Sequence, residues 1–313
     1  MIKELKDTTT SKVSKEIVAM REQGGVVALG RVLTLVVVTS LGYEEEAIFA
    51  ANAASREHPC RIIALVDAGS EAETRLDAQI RVGGDAGAAE VVVLYGYGQL
   101  AAESESLVSA LLLPDAPIVA WWPHGMPKDA SRTSIGRIAH RRITDSDKEP
   151  DPQQALFSLR ETHTAGDTDL AWTRLTSWRV QLAAVFDQLE PAPVTSVAVE
   201  GASDSPSTVL LAAWLTLALN APVTIVEDTA GTGIRGVRIS RTTGDIQILR
   251  PDPSVAELIM PGLPVQRITL PRRPLEECLA EELRRLDPDE VFGEVLIHGL
   301  PRTNLRSVRR SDR

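Results

Sequence analysis

Four near-continuous apolar runs mark the first half of the chain: RVLTLVVVT (31–39), CRIIALVD (60–67), EVVVLYG (90–96) and PIVAWW (117–122). Strands that are covered on both faces read this way, whereas strands with one wet face alternate. The segments between them read as the covering helices. EEEAIFAANAASRE opens with three glutamates, where helix-end amides favour anions, and sets Ala47, Ile48, Ala51 and Ala54 on one face. A second helix is expected over 103–113, stopped by Pro114. LDAQIRVGGD (76–85) alternates Ala78, Ile80 and Val82 with polar neighbours, as an antiparallel edge strand would. This first part is an α/β domain with a mostly parallel sheet, and it ends in the polar, proline-bearing stretch RRITDSDKEPDPQQ (141–154).

A spine helix is expected next, with Asp167 as its cap and Ala171, Leu175, Trp178, Leu182, Val185 and Leu189 recurring at steps of four and three. TSVAVEGA (195–202) reads as a strand. Ser205 and Pro206 then begin a helix that lines up Leu210, Trp214, Leu217 and Ala221. PVTIVED, IRGVRISR, GDIQILRP and QRITLP read as strands, and Thr243-Gly244 makes a hairpin between the middle two. Leu275, Leu279, Leu283 and Leu286 line a helix ending near Pro288, followed by a short one over 290–300. The fold class is thus α/β in two domains, the second with an antiparallel component. The boundaries are 1–155, 156–301 beginning with the spine helix, and a flexible basic tail over 302–313.

Charge and composition narrow the function more than the fold. The formal charge of −10 disfavours a general nucleic-acid surface, although five arginines and one aspartate make the last twelve residues locally basic. No window has the length and apolarity of a membrane span. Cys60 and Cys278, far apart in sequence, read as buried small hydrophobes in a cytoplasmic protein, and the scattered histidines form no metal-ligand spacing. HExxH, GxSxG and GxxxxGK[ST] are absent from the sequence. The glycines of RVGGDAGAAE precede a strand, and those of AGTGIRG lie between strands. Neither stretch has the strand-turn-helix context of a dinucleotide cradle, so no cofactor or metal site is expected.

Two aromatic groups stand out as partner-interface candidates. Trp121 and Trp122 are adjacent on a strand and must leave it on opposite faces, one toward the core and the other toward a crevice or partner. Trp172 and Arg179 share the flank of the spine helix, near Asp169, and their residue types are those that anchor interfaces.

Several long segments resemble one known family. They are LKDTTT (5–10), GRVLTLVVVT (30–39), ASREHPCRII (54–63), DAQIRVGGDAGAAEVVVL (77–94), LLLPDAPIVAWWP (111–123), RRITD (141–145), GDTDLAWTRLTSWR (166–179) and CLAEELRRLDPDE (278–290). They are similar to the actinobacterial glucose-6-phosphate dehydrogenase assembly protein OpcA family over nearly the whole length, with Lys6 where the family pattern has proline. The resemblance implies a non-enzymatic, two-domain allosteric activator or assembly factor. Its partner would be the NADP-linked entry enzyme of the pentose phosphate route, and no catalytic residue carries over. The residues alone leave open an alternative, a sugar-phosphate or nucleotide enzyme whose site gathers Arg141, Asp145, Asp167 and Arg179.

Overall fold

The computed structural model describes residues 1–24, 32–83, 90–228 and 233–309. It divides into two compact units that interlace along the chain. The first comprises Met1–Lys148, Thr164–Thr168 and Pro274–Pro288; the second comprises Glu149–His163, Asp169–Arg273 and Asp289–Arg313. The consecutive boundaries expected from composition are therefore corrected. The chain leaves the first unit after Lys148 but twice returns to it.

Among the described residues, the first unit is built on an eight-stranded sheet. Its strands are β1 (Ile2–Leu5), β2 (Leu33–Ser40), β3 (Cys60–Asp67), β4 (Arg75–Arg81), β5 (Glu90–Tyr97), β6 (Ile118–Trp121), β7 (Arg141–Thr144) and β8 (Asp167–Asp169). They lie in the order β1-β4-β5-β3-β2-β6-β7-β8. The inner five, from β5 to β7, pair in parallel. Every residue of β3 except Asp67 is buried, which is the reason these runs carry no polar alternation. β4 is antiparallel to β5, as its alternation indicates, but it is not an edge, because the unforeseen β1 pairs along its outer side.

Helices cover both faces. α1 (Thr10–Gly24) and α3 (Glu105–Val108) cover one face, where Val13, Ile17, Met20, Leu107 and Val108 pack with Val36, Ile63, Val92, Ala120 and Trp122. α2 (Glu44–Ala54) buries the predicted Ala47, Ile48, Ala51 and Ala54 and lies beside α8 (Leu275–Arg284). The apolar stripe of α8, with Cys278, Leu279 and Leu283 buried, explains why 274–288 returns to this unit. Burying a leucine side chain contributes about 1.5 to 3 kcal/mol relative to exposure. Taken in chain order, β2, β3 and β5 step one way across the sheet, while β6 and β7 step the other way from β2. That is the doubly wound arrangement, with its switch point between the carboxyl ends of β2 and β6.

The second unit holds a seven-stranded sheet among its described residues, in the order β14-β13-β12-β11-β9-β10-β15. These strands are β9 (Val194–Gly201), β10 (Val223–Glu227), β11 (Ile234–Arg241), β12 (Ile246–Leu249), β13 (Val255–Ile259), β14 (Gln266–Thr269) and β15 (Asn304–Arg309). β9, β10 and β15 are mutually parallel, and β11 to β14 form an antiparallel meander beginning with the predicted hairpin, whose Gly244 has φ +119°. β15 corrects the expectation of a flexible tail as far as Arg309; residues 310–313 lie outside the described set.

The helices of this unit are α4 (Pro152–Thr162), α5 (Leu170–Thr173), α6 (Thr176–Asp187), α7 (Pro206–Leu219) and α9 (Glu290–Glu294). The single spine helix is thus two helices. Leu175, between them, keeps φ −85° and ψ −10°, so the periodic pattern runs through the break undisturbed. Asp169, not Asp167, caps the first, accepting a hydrogen bond from the Ala171 N–H at 2.9 Å.

Candidate functional site

All five predicted interface residues sit differently from an exposed anchor. Trp121 and Trp122 do leave β6 on opposite faces, but both are buried, at 0% and 3% exposure. Trp122 joins the core with Ala120, and its Nε1–H donates to Glu103 Oε2 at 3.2 Å. The Trp121 Nε1 is buried without a hydrogen-bond partner among the described residues. In the second unit, Trp172 is fully buried. Its Nε1–H donates to Asp289 Oδ2 at 2.8 Å, and its ring lies 5.8 Å from that of Phe292. The Arg179 guanidinium stacks on the Trp172 ring at 3.8 Å, half-buried. Asp169 is spent on its cap. The flank that looked free on a helical wheel is covered by Asp289 and Phe292, well over a hundred residues further on. Direct contact through the Trp172 side chain would require opening this cluster.

The residues of the alternative enzyme site are likewise engaged within their own units. Arg141, on β7, pairs with Glu282 of α8 and donates to the Asp287 carbonyl at 2.6 Å. Arg142 pairs with Asp167 and donates to the carbonyls of Ala139 (3.1 Å) and Ala165 (2.6 Å) and to Thr164 Oγ1 (3.2 Å). Asp167 also accepts from the Thr164 N–H at 2.7 Å. Gly166, at φ +94°, makes the turn that delivers this carboxylate, and a Cβ there would stand 2.6 Å from the His140 carbonyl. Both guanidinium groups are largely neutralised inside the fold. A third buried pair, Arg61 with Glu90, is joined by Arg21, whose Nη2 lies 2.6 Å from the same carboxylate. These are frameworks that fix strands and helices, not open phosphate sockets.

The switch point is the place where a doubly wound sheet ordinarily takes a nucleotide, its pyrophosphate resting on the amides that open the first helix. Here the turn after β2 reads Ser40-Leu41-Gly42-Tyr43, and α2 begins with Glu44, Glu45 and Glu46. Gly42 takes φ +93°, and its N–H donates to Glu44 Oε2 at 2.6 Å. The buried Glu44 carboxylate therefore takes the turn's Gly42 amide, while among the described residues no side chain caps the helix itself. Beside it, Thr39 Oγ1 lies 3.2 Å from His124 Nε2, and the His124 ring packs on Tyr43 with centroids 4.4 Å apart. A pyrophosphate entering here would meet the like charge of three glutamates, with the Gly42 amide already taken. The sequence carries part of this signal, since one glycine and three glutamates follow a buried strand. His124 becomes visible only through the fold, 85 positions from its partner. Of the two glycine-rich stretches, Gly84, Gly87 and Gly231 lie outside the described residues. Gly236 is a strand residue packed against Leu249.

Among the described residues, no group of three or more His, Cys, Asp or Glu side chains gathers where it could hold a metal ion, and no helix is long and apolar enough to cross a membrane. Cys60 and Cys278 are both buried and free of disulfide.

Residues 51–161 match the family model described as the glucose-6-phosphate dehydrogenase subunit N-terminal domain, and residues 165–296 match that of the subunit's C-terminal domain. No curated protein sequence matches the chain. Solved structures align with it at low similarity. A putative oxidoreductase from Magnetospirillum magnetotacticum MS-1 is 11% identical with a TM-score of 0.43, covering 87% of this chain and 99% of that one. An oxidoreductase from Sinorhizobium meliloti is 11% identical with a TM-score of 0.41, covering 85% and 86%. The UDP-N-acetylglucosamine 3-dehydrogenase GnnA from Acidithiobacillus ferrooxidans is 12% identical with a TM-score of 0.39, covering 84% and 95%. The two family models, side by side along the chain, define a two-domain accessory subunit of a dehydrogenase. The chain belongs to the OpcA family of glucose-6-phosphate dehydrogenase assembly proteins, and its partner is glucose-6-phosphate dehydrogenase.

Proposed function

We propose that this chain acts in the cytoplasm as a non-enzymatic subunit that binds glucose-6-phosphate dehydrogenase and favours its assembled, active arrangement. The observation that carries the reading is the pair of family matches, which together span well over half of the chain. The internal pairing of Arg141, Arg142 and Asp167 and the three glutamates opening α2 at the switch point support it, because they leave neither free cations nor an uncontested amide cradle for a phosphate.

A subunit with no chemistry of its own can raise activity only by binding the active arrangement more tightly than the inactive one. A tenfold preference shifts the balance by about 1.4 kcal/mol, and equal affinity shifts nothing. Titrating the chain into purified dehydrogenase, with turnover and sedimentation followed together, tests this. The expected result is a change in both that saturates at a fixed subunit ratio. Turnover of a metabolite by the chain alone would favour the enzyme alternative, and an unchanged dehydrogenase at excess chain would refute the proposal. Fractionation of cells tests the location, which is expected to follow that of the dehydrogenase.

A further inference from the structure

The seven-stranded sheet of the second unit has one face packed and one face open. Registered neighbours show this strand by strand. Val199, Val237, Ile248 and Leu258 line up across the sheet and are all buried. The adjacent row runs Val226, Glu200, Gly236, Leu249, Glu257 and Arg267, and the next runs Thr224, Ala198, Arg238, Gln247 and Ile259. In these two rows every residue except Gly236 is half-buried or exposed. Val308, registered beside Val226, is 57% exposed. Seven strands at about 4.8 Å spacing, each contributing roughly 13 to 27 Å of length, give a face on the order of 600 Å² in plan. The five strands centred on β12, from β14 to β9, account for on the order of 350 Å² of it, the size of a small, transient interface.

The charges on this face say what fits it. We propose that the open face pairs with the same face of a second copy, about a twofold axis running along β12. That axis sets Leu249 against Leu249 and Gln247 against Gln247, and lays β11 over β13 of the other copy. Gly236, covered by the Leu249 side chain, then faces Glu257, and Arg238 stands one row away, about 7 Å along the strand, within reach of an extended arginine. Farther out, Arg267 of β14 falls over Glu200 of β9, one of whose carboxylate oxygens is covered within its own chain. The Arg238 and Glu257 pairs therefore flank the axis on both sides, in both directions, as an isologous interface requires. The mixture of Ala198, Leu249 and Ile259 with charged neighbours suits an interface between subunits that also exist folded alone. This pairing does not depend on the dehydrogenase reading.

Sedimentation velocity of the full chain, from about 1 to 50 µM, tests it. The wild type is expected to approach twice 33.8 kDa toward the top of this range. Leu249→Arg puts two cations on the axis and is expected at 33.8 kDa with unchanged circular dichroism and melting. Arg238→Glu and Glu257→Arg should each weaken self-association about tenfold or more, and the two together should restore it, which a merely structural role for either residue would not do. A wild type that stays monomeric at the top concentration overturns the proposal. So does a Leu249→Arg variant that remains dimeric, or charge variants without loss and rescue. If the chain alone is monomeric and the same substitutions instead abolish dehydrogenase binding, the face belongs to the enzyme and the proposal is wrong.

Discussion

Removing the Asp167 carboxylate should destabilise the first unit severely. Asp167 neutralises Arg142 and also accepts from the Thr164 N–H at 2.7 Å and the Thr164 Oγ1–H at 3.1 Å. Arg142 is only 8% exposed, and its remaining donors are committed to Ala139, Ala165 and Thr164, so the guanidinium has no route to water when its counter-charge is gone. Breaking a buried pair from one side costs about 3 to 5 kcal/mol, because a charge is left uncompensated. The first unit is of a size for which 1 kcal/mol moves the melting temperature by about 2 to 4 °C, so Asp167→Ala should lower its transition by roughly 6 to 20 °C. Scanning calorimetry of the full chain reads this directly. Replacing both partners, Arg142→Met with Asp167→Leu, removes the stranded charge and should recover much of the loss. A drop of less than about 2 °C for Asp167→Ala, or a double variant no more stable than the single one, would refute the electrostatic account.

Three further outcomes are expected. Trp172→Phe should cost about 1.5 kcal/mol or more beyond Trp121→Phe in chemical denaturation, since the first strands the Asp289 carboxylate and the second removes an indole N–H that has no partner; equal costs would contradict this. The hydrogen bonds from Arg81 hold the Glu45 carboxyl below its ordinary value of 4.5, so the stability they add is present above that pH and lost as pH falls through the lower folded value. Glu45→Gln should therefore melt slightly below wild type at neutral pH, by well under 1 kcal/mol for so exposed a pair, and the gap should close in acid; a gap that widens in acid would show the wrong sign. Calorimetric titration of the isolated chain with NADP should show no saturable micromolar binding, because three glutamates open α2 at the switch point and Glu44 holds the Gly42 amide, and stoichiometric binding there would refute that reading.

The inner strands were legible because burial on both faces removes polar alternation, which leaves apolar runs that few other structures produce. β1 escaped because four residues, IKEL, carry too short a pattern and gain their identity only by pairing with β4. The cap of α5 was misassigned between two aspartates two positions apart. What separates them is Arg142, 25 residues earlier, and no local spacing reveals that it claims Asp167. The burial of the aromatic candidates escaped for a related reason. A helical wheel shows which face a helix buries against its first neighbour, not that Asp289 and Phe292 will close over Trp172 from the other side. The acidic opening of α2 was visible as a helix start. Its meaning, a carboxylate where a doubly wound sheet would take a phosphate, needed the strand order.

The interlaced chain has a consequence for synthesis. α8, which carries Leu279 and Leu283 into the first unit, lies more than 120 residues beyond the last strand of the stretch that begins that unit. At about 5 to 20 residues per second, a ribosome takes on the order of 7 to 28 s to travel from residue 148 to residue 288. Throughout that interval the nascent sheet has Glu282 missing from Arg141 and one helix missing from beside α2. The first unit must therefore wait, incompletely covered, while nearly all of the second is made. A stop codon anywhere before residue 275 strips it of a helix, however far away it looks along the gene.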